Sequence, residues 1–322
     1  MRILVTGGTG FAGSFLLERL LEEEHDVFGL VHPSTSHQAL PQHARFTALE
    51  GDLLAVDFLE QIMRETRPQA IYHLAGQASP GLSWEKPALT MAVNAGGTAN
   101  VLVAAARLPE KPRLLIVTSA EIYGPIHAET LPLTEETPPA PQHPYGVSKL
   151  AASQLVGLYW RRYGLPVIEA RPFNHIGPRQ ALGFVVPDFA SQFAAIKLGQ
   201  KPPVLSVGNL AAQRDFTDVR DIVAAYIALM TNGQPGENYL ICSGRPVSIQ
   251  HLFDTLAELA GVEVNVERDP ARLRPLDTPC LYGSFAKLER DTGWRPQIPL
   301  RQSLADALDH WLKVYAHSAL TR

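Results

Sequence analysis

The start of the chain limits its fold more than any other segment. Residues 3–6 read as a short buried strand, and a glycine-rich turn separates them from a helical run over 14–24. The turn has the pattern G-x-x-G-x-x-G, in which glycines let the backbone turn tightly and approach a pyrophosphate, while the helix start offers N–H donors. Between a strand and a helix, this pattern predicts a dinucleotide site. Its predicted cofactor contacts are Gly7, Thr9, Gly10, Phe11, Ala12 and Gly13.

Strand-like and helix-like runs alternate from residue 1 to about residue 170. This alternation predicts an α/β protein with a doubly wound parallel sheet, the Rossmann arrangement, whose ligands bind at the carboxyl ends of the strands. We place a dinucleotide-binding Rossmann domain at 1–170, which also receives segments of 210–242. A smaller C-terminal α/β domain over 171–322 is predicted to bind the substrate.

Composition excludes several classes of protein. The 322 residues carry a formal net charge of −4, so no basic surface favours nucleic acid. Cys242 and Cys280 lie near no second Cys/His pair at metal-ligand spacing, so we expect reduced thiols and no metal. Since no uninterrupted apolar run reaches about 18 residues and the chain opens directly on a strand, we expect no membrane span, no signal peptide and a cytoplasmic location.

The second strand-like run, residues 26–32, bears on the choice of cofactor. An NAD site usually has Asp or Glu at the end of this strand to bind the ribose hydroxyls. Here the strand ends at His32, followed by Ser34 and Ser36, which are suited to a phosphate. The pattern favours NADP(H) slightly and leaves NAD(H) open.

Four further positions are candidate parts of the cofactor site. Asp52 follows another short strand and is predicted to face the adenine amino group, to cap a helix, or both. Ala75 and Gly76 follow the fourth strand and are small enough for the cofactor to lie over the backbone. Asn94 falls within a helix, where Asn is a poor helix former. It either bonds the backbone and anchors a water near Lys149, or faces solvent.

Tyr145 and Lys149 are the candidate acid–base pair. Their spacing of four puts both side chains on one face of a helix. A nearby ammonium lowers the pKa of a phenol, ordinarily about 10, by roughly 1–3 pH units. Ser119, at the end of a strand over 113–118, is placed to hold a substrate oxygen beside the phenol. The pair alone is a weak signal, and the dinucleotide site upstream gives it meaning.

Taken in order, these residues resemble the extended short-chain dehydrogenase/reductase family over essentially the whole chain. The resemblance implies an enzyme acting on a nucleotide-diphosphate sugar as an epimerase, dehydratase or reductase. It also implies a homodimer formed through helices near 90–108 and 145–163. It adds cofactor contacts at Leu53, Leu74, Thr118 and Pro172.

The resemblance also assigns the substrate side. Asn174 is implied to contact the sugar or phosphate, although an Asn there also suits a bond to its own turn. Arg214 is implied to bind the diphosphate, which a planar guanidinium does bidentately, with Arg274 as a second contact. Segments 174–178 and 273–279 are most similar to reductases of GDP-4-keto-6-deoxy-D-mannose, so a GDP-sugar is expected. Further predicted substrate contacts are Gln77, Glu121, Arg179 and Val185.

The implied reaction is reduction of the C4 ketone of a GDP-4-keto-6-deoxyhexose to a deoxyhexose such as GDP-rhamnose. Tyr145 would protonate the forming alkoxide, with Lys149 and Ser119 assisting. Glu121 keeps alternatives open, because in 4,6-dehydratases a Glu at this place takes the C5 proton and helps expel the C6 hydroxyl. A GDP-mannose 4,6-dehydratase or a nucleotide-sugar 4-epimerase is therefore the alternative enzyme. A non-catalytic nucleotide-sensing protein is the alternative from another class, although it would need no acid–base pair.

Overall fold

The computed structural model describes residues 1–35, 40–124, 126–269 and 278–320. Its strands are β1 Arg2–Thr6, β2 Asp26–Val31, β3 Phe46–Glu50, β4 Ala70–His73, β5 Arg113–Val117, β6 Val167–Pro172, β7 Asn174–Ile176, β8 Val204–Val207, β9 Gln213–Asp218, β10 Asn238–Ile241, β11 Pro246–Ser248, β12 Asn265–Arg268 and β13 Cys280–Leu281. Its α-helices are α1 Phe11–Glu22, α2 Val56–Thr66, α3 Pro80–Glu85, α4 Pro87–Met91, α5 Gly97–Ala106, α6 Pro144–Tyr163, α7 Val185–Lys197, α8 Val219–Asn232, α9 Ile249–Ala260, α10 Ala286–Thr292 and α11 Leu300–Leu320.

The large sheet has the strand order β10-β6-β5-β4-β1-β2-β3. Every neighbouring pair in it is parallel. The chain moves outward from β1 through β2 to β3, then crosses back to β4 on the other side of β1. The order therefore reverses between β1 and β4, and ligands of doubly wound sheets bind at such a reversal. The predicted α/β fold with a doubly wound parallel sheet is confirmed.

Helices cover both faces of this sheet, and alternate strand residues point to opposite faces. In β1, Ile3 and Val5 join the apolar cluster beneath α1 and α8. Leu4 joins the cluster on the other face, beneath α2, α5 and α6. Both faces are covered, so the strands read as continuous apolar runs in the sequence.

The later part of the chain builds a smaller layer. In it β9 pairs antiparallel with β11 and parallel with β7 and β13, while β8 pairs with β12. Helices α7, α9 and α11 pack together over a separate apolar cluster. The chain also returns to the large sheet, where β10 adds the edge strand beside β6 and α8 packs on α1. The domain boundary near residue 170 stays a prediction.

One helical stretch of the described residues, Pro87–Ala106, is long and apolar enough to cross a membrane by length and composition alone. Core helices pass the same test. This stretch includes the polar residues Asn94 and Thr98, both buried, and it contacts α2 and α6. The expectation of no membrane span stays a prediction. Cys242 and Cys280 are both free thiols, as expected.

Candidate active site

The glycine turn after β1 is built by backbone contact. Gly7 has φ +76°, and a Cβ there would lie 2.6 Å from the backbone nitrogen of Ala75. A Cβ at Gly13 would lie 2.0 Å from the carbonyl oxygen of Gly7. The turn, the helix start and the exit of β4 thus touch without side chains between them, and no residue with a Cβ fits at either glycine.

Helix α1 opens toward this turn with its donors available. It begins at Phe11, three residues before the predicted start, and Gly10 is its N-cap. No side chain caps it and its first turn has no acidic residue. The first N–H groups of a helix have no partner within the helix and attract anions. The backbone from Gly7 to Gly13 therefore fits the pyrophosphate of a dinucleotide, with the half-buried Thr9 and Ala12 beside it.

The Phe11 ring packs against other aromatic rings, whereas its backbone belongs to the turn. It stacks on the His175 ring, with centroids 5.7 Å apart and planes at 12°, and meets Phe15 edge-on. Its predicted cofactor contact is therefore available through the backbone, because the ring links α1 to β7.

The end of β2 carries a polar pair. His32 is exposed, and its Nδ1 lies 2.7 Å from the Ser34 hydroxyl and accepts the Ser34 backbone N–H at 3.2 Å. With Nδ1 accepting this N–H, Nε2 is the ring nitrogen suited to donate to phosphate or ribose oxygens. Ser36 lies outside the described residues.

Asp52 and Leu53 follow β3. The Asp52 carboxylate accepts the Leu54 backbone N–H at 2.9 Å, while α2 begins later, with Ala55 as its N-cap. The prediction that Asp52 caps the helix is therefore wrong, because the carboxylate stabilises the preceding turn instead. The Leu53 side chain is buried in the core under α5, which leaves its backbone for any cofactor contact.

The exit of β4 lies at the reversal of strand order. Leu74 donates its N–H to the Thr6 carbonyl, and Ala75 donates to the Thr6 hydroxyl at 3.2 Å. A Cβ at Gly76 would lie 2.9 Å from Asn94 Oδ1. A side chain at Gly76 would therefore collide with Asn94, and the predicted cofactor contact of Ala75 and Gly76 stays a prediction.

Asn94 connects this exit to the catalytic helix. It is 1% exposed and lies in a π-helical segment, Ala92–Gly96. Its side chain accepts the Gln77 N–H at 2.8 Å and donates to the Gln77 carbonyl and the Ser148 hydroxyl. The solvent-facing alternative is wrong, because a buried amide needs these partners. The Gln77 side chain is held by Ser79 and Thr90, so the structure gives it internal partners where we predicted a substrate contact.

The predicted catalytic side chains come together where β5 meets α6. Ser119 follows β5, and Tyr145 is the second residue of α6. The Ser119 hydroxyl hydrogen-bonds the Tyr145 phenol. Lys149 Nζ lies 6.0 Å from the centre of the Tyr145 ring and donates to the Val117 carbonyl at 2.9 Å. All three side chains are buried, which shields the phenol from water.

The pKa of Tyr145 differs from expectation. Burial raises the pKa of its phenol to about 12, opposed by the bond to Ser119 and aided by the Glu121 charge. Burial also lowers the pKa of Lys149 to about 8, opposed by the Glu169 carboxylate. The prediction that Lys149 pulls the Tyr145 pKa down is wrong here, because burial outweighs an ammonium that is bonded elsewhere. The phenol is protonated at neutral pH and available as a proton donor.

Glu121 pairs with a residue that was not predicted from the sequence. Its Oε2 lies 2.8 Å from His143 Nε2, and the His143 ring stacks on Tyr145 with centroids 5.9 Å apart. His143 is also the N-cap of α6, where Nδ1 accepts the Gly146 N–H at 3.0 Å. His143 directly precedes Pro144-Tyr145, at the N-cap position of α6. Ser, Thr, Asp or Asn usually occupies that position, so a histidine there was the one sequence signal.

A buried ion pair behind Lys149 was also missed. Arg171 donates from Nε and Nη2 to the Glu169 carboxylate at 2.8 and 3.0 Å. Thr118 donates its hydroxyl to Glu169 at 2.6 Å, so its predicted cofactor contact would use the backbone. Pro172 ends β6 beside this pair and is buried. Glu169 and Arg171 lie in a strand whose other residues are mostly apolar, and the sequence has no motif that predicts an ion pair between them.

The predicted sugar-side residues Asn174 and Arg214 lie on paired strands. Asn174 in β7 donates to the Asp215 carbonyl in β9 at 3.3 Å, so its bond goes to a neighbouring strand and not to its own turn. Arg214 donates from Nη1 to the Thr278 carbonyl at 2.7 Å. Val185 begins α7 and packs against its core. Arg274 lies outside the described residues.

Arg179 is turned toward the dinucleotide half. Its guanidinium makes a bidentate pair with Glu18 of α1, at 2.6 and 2.9 Å, and lies 3.6 Å from the centre of the Phe15 ring. Arg179, whose φ is +72°, thus contacts α1, and its predicted substrate contact stays a prediction.

Comparison with known proteins agrees with this geometry. The family model described as GDP-mannose 4,6 dehydratase matches residues 4–307. The chain is 38% identical to the GDP-6-deoxy-D-mannose reductase of Pseudomonas aeruginosa, over 96% of this chain and 97% of that one. It is 31% identical to the GDP-mannose 4,6-dehydratase of Sinorhizobium fredii, over 92% and 93%. The structure of RMD from P. aeruginosa, complexed with NADPH, superposes with a TM-score of 0.85 at 34% identity and covers 98% of this chain and 100% of its own.

Proposed function

We propose that this chain, which belongs to the GDP-mannose 4,6-dehydratase family, is an NAD(P)H-dependent reductase of the C4 ketone of a GDP-4-keto-6-deoxyhexose. The observation that carries the proposal is the protonated Tyr145 phenol, bonded to Ser119 and buried where β5 ends. The identity to a GDP-6-deoxy-D-mannose reductase along nearly the whole of both chains supports this choice of reaction.

The cofactor would be held mainly by backbone. The N–H groups from Gly7 to Gly13 bind the pyrophosphate, and the small residues Ala75 and Gly76 let the dinucleotide lie across the strand reversal. NAD(P)H, when bound, supplies the hydride. His32 and Ser34 at the end of β2 offer donors where an NAD site usually has a carboxylate, so NADPH is the favoured form.

The proton comes from this chain. Reduction of a ketone adds one hydride to carbon and one proton to oxygen. Ser119 holds the C4 oxygen, and Tyr145 donates its phenolic proton to that oxygen as the alkoxide forms. Lys149, charged below about pH 8, lies 6.0 Å from the centre of the Tyr145 ring and would bind the ribose hydroxyls of the cofactor.

The sugar nucleotide would lie between the large sheet and the smaller layer. Asn174 is on β7, which pairs with β9, the strand that carries Arg214. Asn174 contacts the sugar or phosphate, and the Arg214 guanidinium binds the diphosphate, whose oxygens match its planar N–H groups. GDP is the favoured nucleotide because the relatives named above act on GDP-sugars.

A 4,6-dehydratase is the second candidate, favoured by the place of Glu121 two residues after Ser119 and by the S. fredii relative. Dehydration needs a base for the C5 proton and an acid for the C6 hydroxyl, and it returns the hydride, so cofactor is not consumed. A 4-epimerase likewise leaves cofactor unchanged.

The protein would act as a homodimer. Large apolar residues are exposed on α6, one of the two predicted interface helices, and on α4, which leads into the other; among them are Leu89, Val147 and Leu158. Apolar side chains spread along two helices suit a helix-to-helix interface between copies. Light scattering after gel filtration gives the mass, and a monomer at micromolar concentration would contradict this proposal.

Substrate and cofactor can be tested together. We expect the enzyme to oxidise NADPH when GDP-4-keto-6-deoxy-D-mannose is present. GDP-sugars should raise the melting temperature of the protein more than UDP-, dTDP- and CDP-sugars do, because a ligand that binds the native state stabilises it. NADPH oxidation should be at least as fast as NADH oxidation. No oxidation with any 4-keto sugar would contradict the proposed reaction, whereas stabilisation by UDP-sugars alone would contradict the choice of nucleotide.

A further inference from the structure

His143 joins two parts of the site with its two ring nitrogens. Nδ1 accepts the Gly146 backbone N–H at 3.0 Å and so caps α6, one residue before Pro144 and two before Tyr145. Nε2 lies 2.8 Å from Glu121 Oε2, in the segment after β5. The ring is 14% exposed at its side chain and stacks on the Tyr145 ring.

These bonds fix the tautomer. A ring nitrogen that accepts an N–H has no proton of its own, so in the neutral ring the proton is on Nε2. Nε2 therefore donates to the Glu121 side chain. Glu121 is thus held as a hydrogen-bond acceptor beside Ser119, whose Oγ accepts the Glu121 backbone N–H at 3.1 Å.

The cap alone does not require histidine. Elsewhere in this chain, Ser79, Asp218 and Ser248 cap helices with a side-chain oxygen. A short oxygen side chain would serve α6 equally well. Imidazole adds a donor, Nε2, which reaches back 22 residues to Glu121. The choice of His at this cap is explained by that second bond.

We infer that His143 is a positioning residue: one ring sets the start of the helix that carries Tyr145 and orients the Glu121 carboxylate toward the sugar. This rests on the proposed function. A carboxylate held in one orientation aligns a sugar hydroxyl, which is a donor. The His143–Glu121 pair thus fixes how the sugar lies beside Tyr145.

Two substitutions separate the two bonds. His143→Asn keeps an oxygen near the Nδ1 position to cap α6 and removes the donor to Glu121. His143→Gln keeps an N–H near the Nε2 position. With His143→Asn we expect an unchanged melting temperature and an unchanged KM for NADPH. The KM for the 4-keto sugar should rise about tenfold, which is the low end of the effect of losing a hydrogen bond to a charged group. His143→Gln should keep the sugar KM within about twofold.

A double-mutant cycle tests whether the two residues act together. His143→Asn combined with Glu121→Ala should raise the sugar KM no more than Glu121→Ala does alone. Glu121→Ala already removes the His143–Glu121 hydrogen bond, so the second substitution has no further bond to remove. Additive effects, or a wild-type sugar KM in His143→Asn, would overturn the inference.

Failure of the proposed function is distinguishable from failure of this inference. The same cycle can be run on the Kd for GDP-mannose by calorimetry, which requires no reaction. Coupling in Kd without NADPH oxidation would uphold the pair and contradict the reductase. ¹⁵N NMR of the histidine rings gives a reading without any ligand: a proton on Nδ1 of His143 in the wild-type protein would overturn the inference whatever the enzyme's activity.

Discussion

The two ends of the candidate site are built on opposite principles. The cofactor end is made of backbone: glycines at 7 and 13 touch neighbouring main chain so closely that a Cβ at Gly13 would lie 2.0 Å from a carbonyl oxygen. The catalytic end is made of side chains from two distant segments, with Ser119 and Glu121 after β5, and His143, Tyr145 and Lys149 on or just before α6. One end depends on steric fit and the other on hydrogen bonds.

This difference sets what each end tolerates. Backbone packing leaves no room for relaxation, so a single added methyl group should destroy the cofactor end. Hydrogen-bonded side chains can be replaced by isosteres that keep the fold and remove one function. Substitutions at the first end should therefore abolish binding, whereas those at the second should give graded kinetic effects.

The largest effect is expected from Gly13→Ala. The added Cβ meets the Gly7 carbonyl oxygen and forces apart the turn and α1, so calorimetry should detect no NADPH binding. Gly96→Ala is the matched control, because a Cβ at Gly96 meets nothing within 4 Å and should leave binding unchanged. Normal NADPH affinity in Gly13→Ala would show that the turn does not hold the cofactor.

Tyr145→Phe should come next. The variant keeps the packing against His143 and loses the proton donor, so steady-state turnover should fall by roughly 10²–10⁴-fold while NADPH still binds. Tyr163→Phe, at the exposed end of the same helix, is the control. Turnover like that of the wild type would remove Tyr145 from the mechanism.

The lowered pKa of Lys149 should make the stability of the protein depend on pH. Burial lowers its pKa from 10.5 to about 8, so between pH 8 and 10 the unfolded chain binds more protons than the folded one. The contribution of Lys149 to the free energy of unfolding of the protein therefore rises as the pH rises, by on the order of 3 kcal/mol.

Denaturant unfolding of Lys149→Met should lack this rise, while Lys313→Met, on the exposed face of α11, should keep it. Parallel curves for wild type and Lys149→Met would mean that Lys149 does not carry the shifted pKa.

Arg214→Ala is expected to have the smallest effect of the four. Loss of a hydrogen bond to a charged group costs roughly 1.5–3 kcal/mol, which raises the sugar KM about 10- to 100-fold and leaves the NADPH KM unchanged. Arg301→Ala, which removes a surface pair with Glu258, is the control. An unchanged sugar KM would move the diphosphate site elsewhere.

The cofactor end was more predictable from the sequence than the catalytic end. Glycines at fixed offsets between a strand and a helix carry their own structural meaning, and the doubly wound sheet followed from strand–helix alternation. The helix starts at Phe11 and not at residue 14, because the pattern alone does not show that Gly13 packs inside the helix.

The catalytic end was predictable only in part. Ser119, Tyr145 and Lys149 have recognisable spacing, but the His143–Glu121 bond joins residues 22 apart and depends on how α6 approaches β5. The raised pKa of Tyr145 follows from burial, which no local pattern reports. Arg179 pairs with Glu18, 161 residues away, and such a contact arises only once the two layers have packed.

Deuterium tracing tests the central claim most directly. The enzyme is incubated with GDP-4-keto-6-deoxy-D-mannose and NADPH labelled at the transferred position, and separately with GDP-mannose and unlabelled cofactor; Glu121→Gln is assayed alongside. We predict one deuterium at C4 of the product for each NADPH consumed, no reaction of GDP-mannose, and reductase activity of Glu121→Gln within about tenfold of wild type. A 4-keto product from GDP-mannose with no net change in cofactor, abolished by Glu121→Gln, would contradict the reductase and identify a dehydratase.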